Sequence, residues 1–320
     1  MSRAEKYNSH MSMSQIPLAE PAELSARALG LLKGCISAPV LFLSVLVCNA
    51  LQLGSLMFWP FSRRLVRKIN REIANSWWSA CDLWAEHWWK IDIVIVGDEI
   101  PHGENALVVS NHRTMADITT LFRLARRKGR LGDMKWFVKD VLKYVPGVGW
   151  GMVFLDCIFL KRDWNKDNRS LERTFGKFKR EQIDMWAVSF VEGTRLRPHK
   201  LQRSQSYAAE QGLPRLEHLL LPRTKGFVAT IQGLGDHMDA VYDVTIGYEG
   251  GFPSLWQWAK GYVRRVHLHV RRFPRRELPS SDEELAQWLY ARYQEKDALL
   301  VRYYDSGVLE LPDQGSDSST

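Results

Sequence analysis

The sequence predicts an α/β domain, a mixed sheet flanked by helices, preceded by an N-terminal membrane-associated helical segment. Three observations carry this. Short apolar runs alternate with amphipathic stretches from Ile91 to Val191, the pattern of strands joined by helices. From Gly34 to Ser62 there is no charged residue. Near the end, Ser281-x-x-Glu284 opens a last helix with a capping box that Gly307 would stop.

Residues 1–25 are polar, contain Pro17 and Pro21 and lack an apolar period, so they read as a flexible tail. Residues 26–62 form the anchoring segment, long enough for the 20 or so apolar residues that a spanning helix needs. Pro39, Asn49, Gln52 and Gly54 interrupt it. One tilted transmembrane helix and two shorter helices dipping into one leaflet both fit. Arg63, Arg64, Arg67, Lys68 and Arg71 follow, against only Arg27 and Lys33 before, which places the downstream domain on the cytoplasmic side. Residues 63–310 make the main domain and 311–320 a flexible C-terminal tail.

Within that domain, Leu65 to Trp89 reads as a helix whose Trp77, Trp84 and Trp88 share one face, suited to a lipid interface or to core. Strands are predicted at 91–96, 106–110, 134–138, 158–160, 185–191 and 263–270. Helices are predicted at 117–128 and 168–182, with a short one ending at Tyr144.

The 320 residues carry a net charge of +8, which favours an anionic partner, and 13 Trp favour a bilayer surface. No nucleic-acid signature accompanies the charge, so nucleic acid is set aside. The four cysteines show neither CxxC spacing nor disulfide density, and no structural metal site is expected. His267 and His269 share a strand face, but no third ligand is near in sequence.

The motif that organises the chain is Ser110-Asn111-His112-Arg113-Thr114-Met115-Ala116-Asp117, between an apolar strand and a helix. On one continuous helix His112 and Asp117 would diverge by about 140°. The His must therefore sit on the turn before the helix, with the Asp folded back from its first turn. An imidazole titrates close to neutral pH, and a carboxylate beside it fixes its tautomer. The same residues could also be a plain helix start, capped by Asn111 or Thr114.

Three further blocks follow in order: Gly151 to Cys157 with Lys161-Arg162-Asp163, Phe190 to Arg195, and Leu221 to Phe227. With the His-x4-Asp they resemble the four blocks of the glycerophospholipid acyltransferases, specifically the lysophosphatidate and lysocardiolipin acyltransferase branch. The resemblance covers about Ile91 to Tyr248 and implies a glycerol-3-phosphate acyltransferase-like fold. It also implies fatty acyl transfer from acyl-CoA, or acyl carrier protein, to the sn-2 hydroxyl of lysophosphatidate, giving phosphatidate. His112 would be the general base and Asp117 its partner. Asn111, Lys161, Arg162, Glu192, Gly193, Thr194, Arg195 and Lys225 would bind substrate, with Arg195 on the phosphate. The acyl thioester is a substrate, and no metal or redox cofactor is implied. Arg123, Arg126, Arg127, Lys128 and Arg130 could meet the phosphates of CoA. Remodelling of another lysolipid (lysocardiolipin, lysophosphatidylglycerol) and non-catalytic lipid binding on the same fold are the alternatives. The chain departs from the family pattern at Val191, where Pro is usual, and at Cys157, where Arg usually follows the Asp.

Overall fold

The computed structural model describes residues 16–161, 163–307 and 309. Arg162 and the tail residues 1–15 and 311–320 lie outside the described residues. Ile16 to Leu18, expected in the flexible tail, instead form a parallel bridge to Phe252, with Leu18 N–H donating to its carbonyl at 2.9 Å.

The charge-free stretch is one helix, α1 (Leu24–Ser55), continuous through Pro39. At 1.5 Å per residue it is about 48 Å long. A turn at Leu56–Phe58 leads into α2 (Arg63–His87), whose N-terminus Ser62 caps by accepting from Leu65 N–H. The two helices run antiparallel: Ser37 Oγ accepts from the indoles of Trp84 and Trp89, Ser44 Oγ from Trp77, and Ser55 Oγ from Asn70. The Trp77 and Trp84 face therefore packs on α1 rather than lying free at a lipid interface. The inner face of α1 is small or polar (Gly30, Gly34, Ser37, Asn49, Gln52), while Leu29, Leu32, Leu43 and Val47 point outward and exposed. Close approach explains the glycines, since a Cβ on Gly30 would stand 2.2 Å from the Tyr262 ring.

The domain follows as β1 (Asp92–Gly97), β2 (Ala106–Ser110), α3 (Ala116–Arg127), β3 (Met134–Lys139), α4 (Val148–Phe154), β4 (Ile158–Leu160) and α5 (Trp164–Glu181). Then come β5 (Trp186–Ser189), α6 (Pro198–Glu210), α7 (Thr224–Leu234), β6 (Ala240–Tyr248), α8 (Leu255–Ala259), β7 (Arg265–Pro274) and α9 (Asp282–Ser306). The sheet order is β1-β7-β6-β2-β5-β3-β4. Strands β6, β2, β5, β3 and β4 are mutually parallel, β7 is antiparallel to β6, and β1 runs with β7, so the sheet is mixed.

Every side chain of β2 is buried because both sheet faces are covered. Ala106 and Val108 face a layer that includes α2, α3 and Trp258; Leu107 and Val109 face one built by α5, α7 and α9. Strand β6, buried at all nine positions, was not among the predicted strands, although Tyr242, Val244, Ile246 and Tyr248 alternate with Asp243, Thr245 and Gly247; it carries a carboxylate, Asp243, into the core. That carboxylate is neutralised by Lys296 of α9 at 2.6 Å, whose Nζ also donates to the Val244 carbonyl. The predicted helix at 168–182 begins earlier, at Trp164, where Asp163 caps it.

Candidate active site

The carboxyl ends of the parallel strands share one edge, the usual place for ligands in open α/β sheets. Strand β2 ends at Ser110 and delivers His112 there, and β5 ends at Ser189 and delivers Glu192. Strand β3 ends in Lys139, and Lys161 follows β4.

His112 sits on the turn and Asp117 in the first turn of α3, as the five-residue spacing requires, and Nδ1 lies 2.9 Å from Asp117 Oδ2. The same oxygen accepts the backbone N–H groups of Arg113 (2.7 Å) and Thr114 (2.9 Å). Oδ1 accepts the Tyr248 hydroxyl at 2.6 Å. Asp117 is thus no plain helix-end charge: fully buried, it ties the turn, the ring and β6 together. Burial raises the Tyr248 hydroxyl well above the usual tyrosine range, so it stays a donor. Facing a carboxylate, Nδ1 takes the N–H and leaves the Nε2 lone pair for a substrate. The ring lies flat on Phe190, centroids 4.0 Å apart and planes at 14°.

Asn111 is a clamp. Its side chain donates to the Ile246 carbonyl at 3.0 Å and accepts from Ile246 N–H at 2.8 Å, extending the β2–β6 ladder past Ser110. Glu192 accepts from His112 N–H at 2.9 Å and from Leu220 N–H at 3.3 Å. Two N–H donors favour its anion, but burial outweighs them and pushes the carboxyl up to about 8. Gly193 has φ +69°, and a Cβ there would meet Arg223 Nε at 2.6 Å. Only glycine fits comfortably. Thr194 Oγ1 accepts from Lys200, and the main chain beyond is fixed by Leu196 N–H donating to the His112 carbonyl at 2.9 Å. Among the described residues, Arg195, Lys161 and Lys225 pair with no carboxylate; Arg195 is half-buried and the other two are exposed.

The acyltransferase family model matches residues 92–249, and a model described as acyltransferase C-terminus matches 260–318. The chain is 35% identical over 288 residues to a probable 1-acyl-sn-glycerol-3-phosphate acyltransferase 5 of Arabidopsis thaliana, covering 87% of this chain and 76% of the relative. It is 36% identical over 274 residues to human 1-acyl-sn-glycerol-3-phosphate acyltransferase gamma, covering 84% and 73%. The chain belongs to the 1-acyl-sn-glycerol-3-phosphate acyltransferase family. The crystal structure of the 1-acyl-sn-glycerophosphate (LPA) acyltransferase PlsC of Thermotoga maritima is similar in fold, with TM-score 0.53, 18% identity and coverage of 88% of this chain and 99% of that one.

One expectation for this acyltransferase changes with its geometry. Arg123 and Arg126 bind Asp82 of α2 at 2.8 and 2.6 Å, and Arg130 binds Asp133 and Asp184. These cations are structural and stand at the far end of α3 from His112. Cys157 is buried beneath Trp136 N–H, and burial pushes its thiol up to about 11, so it is no ready nucleophile. Ser110 is buried, with its hydroxyl on the Asn111 carbonyl. Among the described residues no group of three His, Cys, Asp or Glu side chains could hold a metal ion.

Two residues of the site were not singled out from sequence. Tyr248 lies 131 positions from Asp117, and no local spacing signals that contact. Arg113 stacks over Phe252 at 3.9 Å and donates to the Leu196 carbonyl at 3.2 Å. Burial pulls its guanidinium down to about 10.

Proposed function

We propose that the protein transfers a fatty acyl chain from acyl-CoA, or acyl carrier protein, to the sn-2 hydroxyl of lysophosphatidate, giving phosphatidate. The observation that carries this reading is the His112–Asp117 contact on the open carboxyl edge, in a chain whose relatives bear that activity in their names. The hydroxyl oxygen attacks the thioester carbonyl while its proton passes to His112 Nε2. Asp117 stabilises the imidazolium through Nδ1. Collapse of the tetrahedral intermediate breaks the C–S bond, and the leaving thiolate recovers the proton. These steps need no serine or cysteine nucleophile, no metal and no redox cofactor.

Arg195, with Lys161 and Lys225 as further cations, holds the acceptor phosphate. Asn111, Glu192, Gly193 and Thr194 shape the turns that present these groups. Arg162 was expected among the cations and lies outside the described residues.

The enzyme sits on a membrane with its domain toward the cytoplasm. The membrane seat is supported by the outward apolar side of α1, which continues into exposed Val141, Tyr144, Val148 and Trp150 and into Leu255 and Trp256, and the orientation rests on the basic flank Arg63 to Arg71. Asn49 of α1 accepts from Gly147 N–H, and Gly34 lies under the Trp256 ring, so these surfaces adjoin. Because α1 packs on α2, α4 and α8 between Gly30 and Ser55, it lies in the interface plane, as a monotopic anchor does. Met115, on the His turn itself, is also exposed.

The test is a panel of lysolipid acceptors with one acyl thioester. Lysophosphatidate should be the best acceptor, and His112→Ala should abolish transfer while membrane attachment persists. If lysophosphatidate is the poorest acceptor, a remodelling role replaces this one. If His112→Ala keeps its rate, a non-catalytic lipid-binding role does.

A further inference from the structure

At the opposite, amino-terminal edge of the sheet is a cavity of about 530 Å³, lined by the start of α2, the start of β3 and the end of α5. Lys135 of β3 lines it. That residue pairs with Ala187 of β5, which pairs in turn with Leu107 of β2, so it lies five positions below His112, about 17 Å along the strands.

Its charges do not cancel. Arg67 is held by Asp156 and Glu181, and Arg71 by Asp133 and Glu72. Asp184 is held by Arg130. Every carboxylate lining the cavity is therefore committed to an arginine. Arg64, Lys68 and Lys135, which also line it, have no carboxylate partner among the described residues. Lys135 is the telling one. It is 3% exposed, and no hydrogen bond or ion pair holds its ammonium among the described residues. Burial pulls its pKa down. The nearest carboxylates, Asp133 and Asp156, favour its charge from a distance but are themselves taken by arginines, so an anion entering the cavity would give this ammonium a partner of its own.

The surroundings suit an amphiphile. Phe154, Leu155 and Ile183 also line the cavity. Just before Arg64, the α1–α2 turn exposes Met57, Phe58, Trp59 and Phe61. Such a tip enters the interface, where tryptophan settles at headgroup level and adjacent cations meet lipid phosphates.

We propose that this cavity is a second anion site, separate from the His112 edge, which takes a phosphate-bearing group with Lys135 at its base and Lys68 and Arg64 at its rim. A phospholipid headgroup and free phosphate share that chemistry. Occupancy gives the Lys135 ammonium a partner and fixes the α2 start against β3.

The test uses the full chain in neutral detergent, with native mass spectrometry and thermal melting. The probes are phosphatidylglycerol, phosphatidylcholine and inorganic phosphate. Wild type should retain phosphatidylglycerol and melt higher with it, whereas Arg64→Gln/Lys68→Gln, at the rim and away from the core, should bind it at least tenfold more weakly. Lys135→Met should lose the lipid-induced shift even if the unliganded chain melts higher. His112→Ala should bind as wild type does, so failure of the proposed catalysis and failure of this site are distinguishable. Equal stabilisation by inorganic phosphate assigns the site to free phosphate; a requirement for the lipid assigns it to a headgroup. Unaltered phosphatidylglycerol binding in both variant sets, or equal retention of phosphatidylcholine, overturns the proposal.

Discussion

Glu192 Oε1 accepts the backbone N–H of His112 at 2.9 Å, so the loop after β5 holds the His turn by its main chain. The other carboxyl oxygen takes Leu220 N–H, which ties in the segment before α7 as well. One buried side chain thereby joins two of the sequence blocks and the residue that precedes a third.

This gives a pH signature. Folded Glu192 titrates near 8, whereas an unfolded glutamate titrates near 4.3. Between those values the folded state holds the extra proton, so this group lowers stability as pH rises from about 4.3 to about 8. Glu192→Gln cannot ionise, and its melting temperature should gain on wild type from pH 5 to pH 8. A difference that stays constant over that range means the carboxyl is ionised throughout.

Removing the proposed base should act on turnover, whereas changing its partner acts on turnover and also loosens the turn that Asp117 ties together. His112→Ala and Asp117→Asn should each lower kcat by on the order of 10²–10⁴-fold, measured with labelled acyl-CoA in detergent. Asp117→Asn keeps the size of the side chain but no longer supplies the charge. Near-wild-type turnover in either variant would remove the general-base mechanism.

Arg195 distinguishes headgroup binding from scaffolding. A charge-assisted hydrogen bond contributes about 1.5–3 kcal/mol, so Arg195→Ala should raise KM for lysophosphatidate by roughly 10–100-fold with kcat largely kept. Arg195→Lys should recover part of it. With monoacylglycerol, which has no phosphate, wild type and variant should match; an equal loss there means a structural role.

Deleting α1 would uncover Trp84 and Trp89, so attachment is better tested on its outer face. Leu43→Glu/Val47→Glu changes two residues that are each 60% exposed. The pair should leave the membrane pellet after a carbonate wash, with an unchanged far-ultraviolet circular dichroism spectrum. Persistence in the pellet would show that α1 is not the anchor.

The Lys296–Asp243 pair is buried on both sides. Lys296→Met should cost about 3–5 kcal/mol in denaturant melts, because it strands a carboxylate in the core. Asp243→Asn in the same chain should recover much of that loss. If the double variant is no more stable than the single, the cost comes from packing.

The strands at 106–110, 134–138 and 158–160 and the His–Asp fold-back were legible because each rests on short-range pattern. Strand β6 was not predicted, although Tyr242, Val244, Ile246 and Tyr248 alternate with Asp243, Thr245 and Gly247; the charge of Asp243 is answered only 53 residues later, by Lys296. The basic run of α3 looked free because Asp82, its partner, lies 41 residues before Arg123 on another helix. The tryptophans of α2 showed their shared face but not its occupant. Periodicity marks a side that must be covered, and it is silent on whether lipid or a neighbouring helix covers it.

Strand β7 bears on where the gene can be cut. It is the strand that shields β6, and it also supplies the only hydrogen-bonding neighbour of β1 among the described strands. A recombinant fragment ended at Glu249 would keep His112 and Asp117 yet present the bare flank of β6 to any other copy. Unpaired strand flanks of that kind invite self-association. Expression trials should therefore keep residues 265–274, even though no catalytic group resides there.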